Sequence, residues 1–577
     1  MKYNSIYKQL DNEEKEWVDS TFEHLSIKQK IGQLLAPMVI HWDPDKDSQE
    51  LCDEAIAAEV GTVHMCGASY KKIRGYVKQL FDKLPVPPLV SADFEFGSQG
   101  IAEGYKAGCP MMAGAIEDIE LGKKIARSTG ELTAQHGRAA GINWTFGPVV
   151  DVPINFDSAH PNTRTYARDT ERISILSGEY IKGLQSQGFA ATMKHFPGAG
   201  VDFRDSHVAT EVNDLPFDEW MNEHGKTFGA AIDNGVYAAM IGHIALPCKG
   251  GFNSKNGMPL PATLDSKVQF DLLRKEMGFG GVIVSDAIEM GGALAHTEGH
   301  FDATIQNIAT GSDVVLFVDD LPKQVEAVEQ AVADGRVTMK MIDGSVLRIL
   351  SLKAKLGLFK KNALPSDEEA DKIFDNDQMV VSGFDSVEAL GKATVENAIT
   401  LQRDWNNEFP LNLKKGDKIT ICVFPKEETN LAGIVLPDED LAGAYPELAK
   451  EFQRRGFEVV CVNNRYALQD EAKNSQAVFY LATTNPVAGR GHNRLTKAAL
   501  RAIDWDIIQS DIPTILVNLG NPYLLWELSM LPNCICGYRP SAEMQRAVVA
   551  AVLGDIDFKG KMPVVVPGLV WKMVDSK

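Results

Sequence analysis

The stretch ATMKHFPGAGVDFRDSH, residues 191–207, decides how the rest of the chain is read. The mostly apolar, β-favouring run 189–193 ends in Lys194 and His195, Pro197 stops any regular element, and Gly198 and Gly200 open a loop. That loop carries Asp205 and His207 two residues apart. Charged and imidazole side chains at the end of an apolar strand suit a ligand-facing terminus. A solvated strand end and an Asp-Ser-His cap on the next element explain them equally at this stage.

Outward from this stretch the pattern repeats. Apolar runs at 60–65, 89–92, 142–150, 189–193, 238–244, 281–284 and 314–318 alternate with segments of helical character at 117–135, 170–187, 217–234, 266–277 and 321–333. Near-continuous apolar strands separated by helices mean parallel strands covered by helices. The polar residues stand at the downstream ends of the runs: Asp93, Asp151, Lys194 with His195, His243, Ser285 with Asp286, and Asp319 with Asp320. A closed (β/α)8 barrel gathers such ends at one mouth, whereas an open doubly wound sheet spreads them along a crevice; the repetition favours the barrel. Seven runs are visible, which leaves the eighth strand short or irregular.

Ahead of the barrel, residues 12–23 read as a helix. A second begins with Ser26 as N-cap and Gln29 as its reciprocal partner, and Ile31 and Leu34 continue its apolar side. Helical residues 335–358 close the first domain, and the charged stretch KNALPSDEEADKIFDNDQ (361–378) reads as linker. A second α/β domain follows, with strands expected at 418–423, 457–461, 477–481, 514–517 and 534–536, and helices near 440–454, 497–503, 523–530 and 541–553. The expected architecture is an α/β chain: an N-terminal (β/α)8 TIM-like barrel over 1–360, a linker over 361–394, and a smaller α/β sandwich domain over 395–577.

With 577 residues the chain exceeds one ordinary core, and its 44% hydrophobic content is that of a folded globular protein. The 58 basic and 78 acidic residues give a net charge of −20, which repels phosphate backbones and anionic lipid heads, so neither nucleic acid nor membrane is an expected partner. The first twenty residues hold no apolar export segment and no apolar run reaches spanning length, so the expected location is cytoplasmic. Eight cysteines in mostly apolar surroundings read as buried hydrophobes, and the pair Cys534 and Cys536 as strand neighbours more than as metal ligands. No nucleotide-binding glycine loop, HExxH or paired CxxC occurs, so no cofactor and no metal is expected. Oligomeric state is not legible.

Asp286, in GVIVSDAIEMGG (281–292), is a carboxylate at a strand end, where burial is costly unless compensated; a nucleophile for an electrophilic carbon and a helix cap both fit. Glycoside hydrolysis with retention needs such a nucleophile and a second group that donates and later accepts a proton. His207 supported by Asp205 meets that need if their loop folds over Asp286. Lys194, His195 and Arg164 are candidate donors to sugar hydroxyls and Asp93 a candidate acceptor. His243 reads either as pocket wall or as a hydrogen-bonded core histidine, and Glu95 and Glu289 are rival proton donors.

The runs KHFPGAG (194–200) with DSH (205–207), PATLDSKVQFDLLRKEMGFGGVIVSDAIEMGG (261–292), LSIKQKIGQL (25–34) and PLVSADFEFG (88–97) resemble glycoside hydrolase family 3, and more narrowly its β-N-acetylglucosaminidase branch. GKMPVVVPG (560–568) resembles the end of the second domain in long members. The resemblance implies Asp286 as nucleophile, His207 as general acid/base with Asp205 behind it, and Lys194, His195, Arg164 and Asp93 as sugar contacts. It departs from the family at Ala199, where a histidine is common, and after Glu95, where an arginine is common. Implied is an exo-acting β-N-acetylglucosaminidase on peptidoglycan or chitin fragments. β-Glucosidase, phosphorolysis with phosphate as acceptor, and glycan binding without catalysis are the alternatives.

Overall fold

The βα alternation is present in a computed structural model that describes residues 5–567 apart from 42, 44, 107, 254, 256, 376–378, 380, 425–445, 485–488 and 490–493. Internal contacts divide the chain into two units, one of Met1–Tyr105, Ala126–Val152 and Ser177–Ser382, the other of Lys106–Ile125, Pro153–Leu176 and Gly383–Lys577. Among the described residues no helix is long and apolar enough to cross a membrane.

The first unit is the TIM-like barrel. Its strands are β1 (Leu35–Ala36), β2 (Met38–Ile40), β3 (Thr62–Met65), β4 (Leu89–Ala92), β5 (Trp144–Thr145), β6 (Thr192–Phe196), the rim strand β7 (Glu211–Val212), β8 (Ala238–Ile241), the rim strand β9 (Ile244–Ala245), β10 (Val282–Ala287) and β11 (Val314–Leu316). Parallel ladders run in two arcs, β1-β11-β10-β8-β6 and β2-β3-β4-β5. Isolated bridges from Trp144 to Ala190 and from Val149 to Lys194 join the arcs on one side, and chain continuity from β1 to β2 joins them on the other.

That second seam explains the eighth strand missing from the sequence reading. Pro37 lacks the N–H a ladder needs, so the strand breaks into two short pieces directly behind the helix Ile27–Gln33. The helix itself starts as expected, with Ser26 and Gln29 exchanging both capping hydrogen bonds.

Two barrel strands carry irregularities at the residues of interest. The pairing of β6 with β8 shifts register between Met193 and Phe196, which places Lys194 and His195 on a bulge. The pairing of β10 with β11 shifts between Val284 and Ala287, which places Ser285 and Asp286 on another. A bulge frees a side chain from strict in-and-out alternation and re-aims it.

Two buried charged side chains inside this unit have polar partners. Asp313 is fully buried and accepts from Arg274, Arg348, Ser345 and the Ile283 amide; burial alone would raise its carboxyl, but the two guanidiniums hold it below the usual range. Lys353 is also fully buried, its Nζ 2.6 Å from Gln33 Oε1, and burial lowers its ammonium to about 7. Between about pH 7 and 10 the unfolded chain holds a proton here that the folded chain does not, so stability rises with pH by up to about 1.4 kcal/mol per unit. Lys353→Met is expected to flatten that slope and to raise the thermal midpoint most at pH 6; a slope unchanged from wild type in melts from pH 6 to 10 contradicts this.

Part of the stretch read as linker is helical, and residues 376–378 lie outside the described residues. Asp367–Phe374 is a helix with a Ser366–Glu369 capping box, held to the first unit by Arg74 on Asp367, Tyr70 on Asp371 and the Phe374 ring stacked 3.9 Å from that of Tyr70.

Among the described residues the second unit is an α/β layer of six strands: β12 (Thr400–Asp404), β13 (Lys418–Val423), β14 (Glu458–Val462), β15 (Ala477–Ala482), β16 (Thr514–Asn518) and β17 (Asn533–Cys536), in the order β12-β17-β16-β15-β13-β14. Five are parallel and β12 is antiparallel to β17. The polar run Thr400–Asp404 carries no apolar signal, so β12 escapes a sequence reading. The helix expected at 523–530 is only a short turn, Leu524–Trp526, and the start of the one expected at 440–454 lies outside the described residues. The segments 106–125 and 153–176 fold with this unit: a Cβ on Gly114 would stand 1.6 Å from the Tyr166 carbonyl, and Ala115 O and Arg168 N bond Lys561 N and Pro563 O of the closing motif.

Candidate active site

The site is built from the downstream ends of β3, β4, β6 and β10 and the loop after β6. Asp286 stands half-buried on the β10 bulge, and its Oδ1 accepts the Ala287 amide at 2.9 Å. The chain then reaches the short helix Gly291–Leu294.

Two glycines bring this segment against the histidine loop. Gly291 N donates to His207 O at 2.9 Å and Gly292 N to Ser206 O at 3.1 Å. A Cβ on Gly291 would stand 2.3 Å from Val208 O, and one on Gly292 2.7 Å from Ser206 O, so only glycine permits the approach. Thr210 Oγ1 adds a bond to Gly292 O at 2.9 Å. The loop carrying His207 is thereby stitched to the backbone that follows Asp286.

Within the loop, Asp205 Oδ1 accepts both the His207 amide at 3.0 Å and His207 Nδ1 at 2.7 Å. A carboxylate acceptor fixes the proton on Nδ1 and assigns proton exchange to Nε2. Asp205 is 6% exposed and the imidazole 28%. The support is thus dry and the ring reachable. Close by, burial and the charge of Asp319 push the Glu289 carboxyl up to about 7, opposed by His207.

On the β6 bulge, Lys194 is buried with Nζ 2.9 Å from Glu95 Oε1 and 3.5 Å from Asp93 Oδ1, while Asp93 is about half exposed. His195 gives its amide and Nδ1 to the two oxygens of Asp151, at 3.0 and 2.8 Å, and Asp151 Oδ1 also accepts the Ala199 amide. Asp151 is fully buried and fixes the His195 ring as Asp205 fixes His207. The glycine loop rests on Trp220, Asn213 and His224, which bond Pro197 O, Gly198 O and Ala199 O. Gly198 has φ 119°, and a Cβ there would meet the His224 ring at 2.0 Å. Ala199 itself is buried.

His243 and Arg164 complete the candidates. His243 is a correction: the ring is fully buried, with Nδ1 on Thr263 Oγ1 at 2.9 Å and Nε2 on the Ala287 carbonyl at 2.7 Å, so it braces the β10 terminus from behind and is no sugar contact. Arg164 belongs to the second unit, in the turn Asn162–Arg164, with Nη1 on His160 O at 3.1 Å.

The sequence reading named Asp151 only as one more strand-end acid and Glu95 only as a rival proton donor. Their roles as partners of His195 and Lys194 follow from contacts across the barrel. The recurrent acid or base at each strand end was the available signal. Chemically, one unit carries a strand-end carboxylate, an imidazole backed by a carboxylate, and an ammonium flanked by two carboxylates. Such a set can engage an electrophilic carbon, move a proton, and bind hydroxyls.

Comparison with known proteins shows the family. Residues 26–352 match the glycosyl hydrolase family 3 N-terminal domain. A beta-N-acetylglucosaminidase/beta-glucosidase of Cellulomonas fimi is 29% identical over 568 residues, covering 96% of each chain. A beta-hexosaminidase of Stenotrophomonas maltophilia is 31% identical over 288 residues, 49% of this chain and 78% of that protein. Among solved structures, a beta-glucoside phosphorylase superposes with a TM-score of 0.84 at 26% identity, over 96% of this chain and 97% of the other.

Proposed function

From the premise that the chain belongs to glycosyl hydrolase family 3 and is a glycoside hydrolase, we propose that it is a retaining exo-β-N-acetylglucosaminidase. Its substrates would be peptidoglycan or chitin fragments ending in β-linked N-acetylglucosamine. The observation that carries the reading is the Asp205–His207 pair bonded, through Gly291 and Gly292, to the backbone just after Asp286. The names of the Cellulomonas and Stenotrophomonas relatives support the sugar.

Asp286 attacks the anomeric carbon as the glycosidic bond breaks, and His207 Nε2–H protonates the leaving oxygen. Nε2 then takes a proton from water, which attacks the same carbon and releases Asp286. Lys194, His195 and Asp93 hold the hydroxyls of the terminal sugar, with Glu95 and Asp151 fixing the first two. Glu289, its carboxyl pushed up to about 7 by burial and the charge of Asp319, stands close to the proton-transferring ring.

A second reading is phosphorolysis. After donating its proton the imidazole is neutral and repels an anionic acceptor less than a carboxylate would, and a phosphorylase is among the superposed structures. A panel of aryl β-glycosides assayed with and without phosphate tests both readings. N-acetylglucosaminide turned over in preference to glucoside, with free sugar as product in either buffer, is expected for hydrolysis; sugar 1-phosphate as the main product overturns hydrolysis in favour of phosphorolysis, and preference for the glucoside overturns the assigned sugar.

A further inference from the structure

His64 lies on β3, which ends at Met65, and Cys66 follows directly. β4 lies beside it with His64 opposite Ser91 and ends at Ala92, with Asp93 following directly. One potential ligand atom from each of His64, Cys66 and Asp93 lies within 4.8 Å of the other two.

The hydrogen bonds around this trio point to a cation. Ser91 Oγ donates to Val63 O, so it accepts from His64 Nδ1 at 3.1 Å, and the ring lone pair is left on Nε2. That lone pair faces Asp93 Oδ2 at 3.7 Å, an acceptor opposed to an acceptor. The ring is clamped between Phe146 and Phe317, with centroids at 5.5 and 4.8 Å. Cys66 Sγ receives the amides of Asp93 and Gly67. The other oxygen of Asp93 faces Lys194, whose ammonium is held by Glu95, so the two functions of the Asp93 carboxylate do not share an atom.

We propose that His64 Nε2, Cys66 Sγ and Asp93 Oδ2 form a binding site for a zinc-class divalent cation, and that its occupancy competes with the sugar. Tetrahedral zinc needs its ligand atoms roughly 3.3–3.6 Å apart, a side-chain-sized adjustment from the present spacing. Binding forms a metal–thiolate bond and releases the thiol proton to solvent. The inhibitory half of the proposal rests on Asp93 being a sugar contact, as under the proposed function; the binding half does not.

The test uses the full chain dialysed against chelator. Cobalt(II) alone is expected to bind at one equivalent per chain with thiolate-to-metal charge-transfer absorption. Cys66→Ala is expected to lose that absorption and at least about tenfold in cobalt affinity, as is His64→Asn, which keeps a donor toward Ser91. Zinc is expected to raise KM for an aryl glycoside at unchanged kcat, reversibly with chelator, and to leave Cys66→Ala unaffected; without metal that variant turns over as wild type does. Absence of the charge-transfer band in wild type, or its persistence in Cys66→Ala, overturns the site. A cobalt site at Cys66 with no zinc effect on KM upholds the site and overturns the role of Asp93 in sugar binding.

Discussion

Asp286→Ala is expected to lower kcat on an aryl β-N-acetylglucosaminide by on the order of 10⁴-fold or more, the scale seen when a covalent nucleophile is removed. On the proposed mechanism the loss follows from position, because the β10 bulge presents the attacking carboxylate. The variant should still fold, because Asp286 is half-buried at the end of its strand and no apolar packing is removed with it, so thermal melts within a few degrees of wild type are expected. Azide added to Asp286→Ala should restore part of the turnover and yield a glycosyl azide of inverted configuration. Wild-type-like turnover in the variant, or rescue with retained configuration, contradicts the assignment.

His207→Ala is the second large effect. Acid/base groups of this kind contribute about 10²–10⁴-fold, and the loss should fall on both chemical steps. Substrates whose leaving group needs a proton lose the first step. With a strongly activated aryl group that step survives, the second becomes limiting, and the glycosyl-enzyme should accumulate with an initial burst. Asp205→Asn should give a smaller loss of the same pattern, because the ring remains but its Nδ1 partner at 2.7 Å becomes neutral. An equal loss across leaving groups rules out proton donation by His207.

Much of this organisation is legible in the chain because parallel barrel strands are apolar along their whole length and their ends are not. Asp93, Lys194, His195 and Asp286 each announce themselves by ending such a run. The first strand is hidden because Pro37 cuts it into pieces too short to show a period. β12 is hidden because an edge strand with polar residues has no apolar signature. His243 misleads, since a histidine at a strand end looks the same whether it faces a ligand or a carbonyl such as that of Ala287.

The partner relations are the least legible part. Nothing local shows that Asp151 holds His195 or Glu95 holds Lys194. Nor does Gly291-Gly292 reveal that its amides serve the carbonyls of His207 and Ser206. These pairings depend on how barrel closure brings distant strand ends together. The glycines are the one clue, because a Gly-Gly pair behind a strand-end acid marks a place where another backbone comes close.

On the proposed mechanism the β10 carboxylate becomes bonded to sugar during turnover. Incubation with a 5-fluoro-β-N-acetylglucosaminyl fluoride, followed by proteolysis and mass spectrometry, reads this directly. The expected result is one sugar per chain on the peptide containing Asp286, at the carboxylate itself. A label on Glu289 or Asp93, or no adduct from an enzyme that inverts the anomeric configuration, contradicts the account.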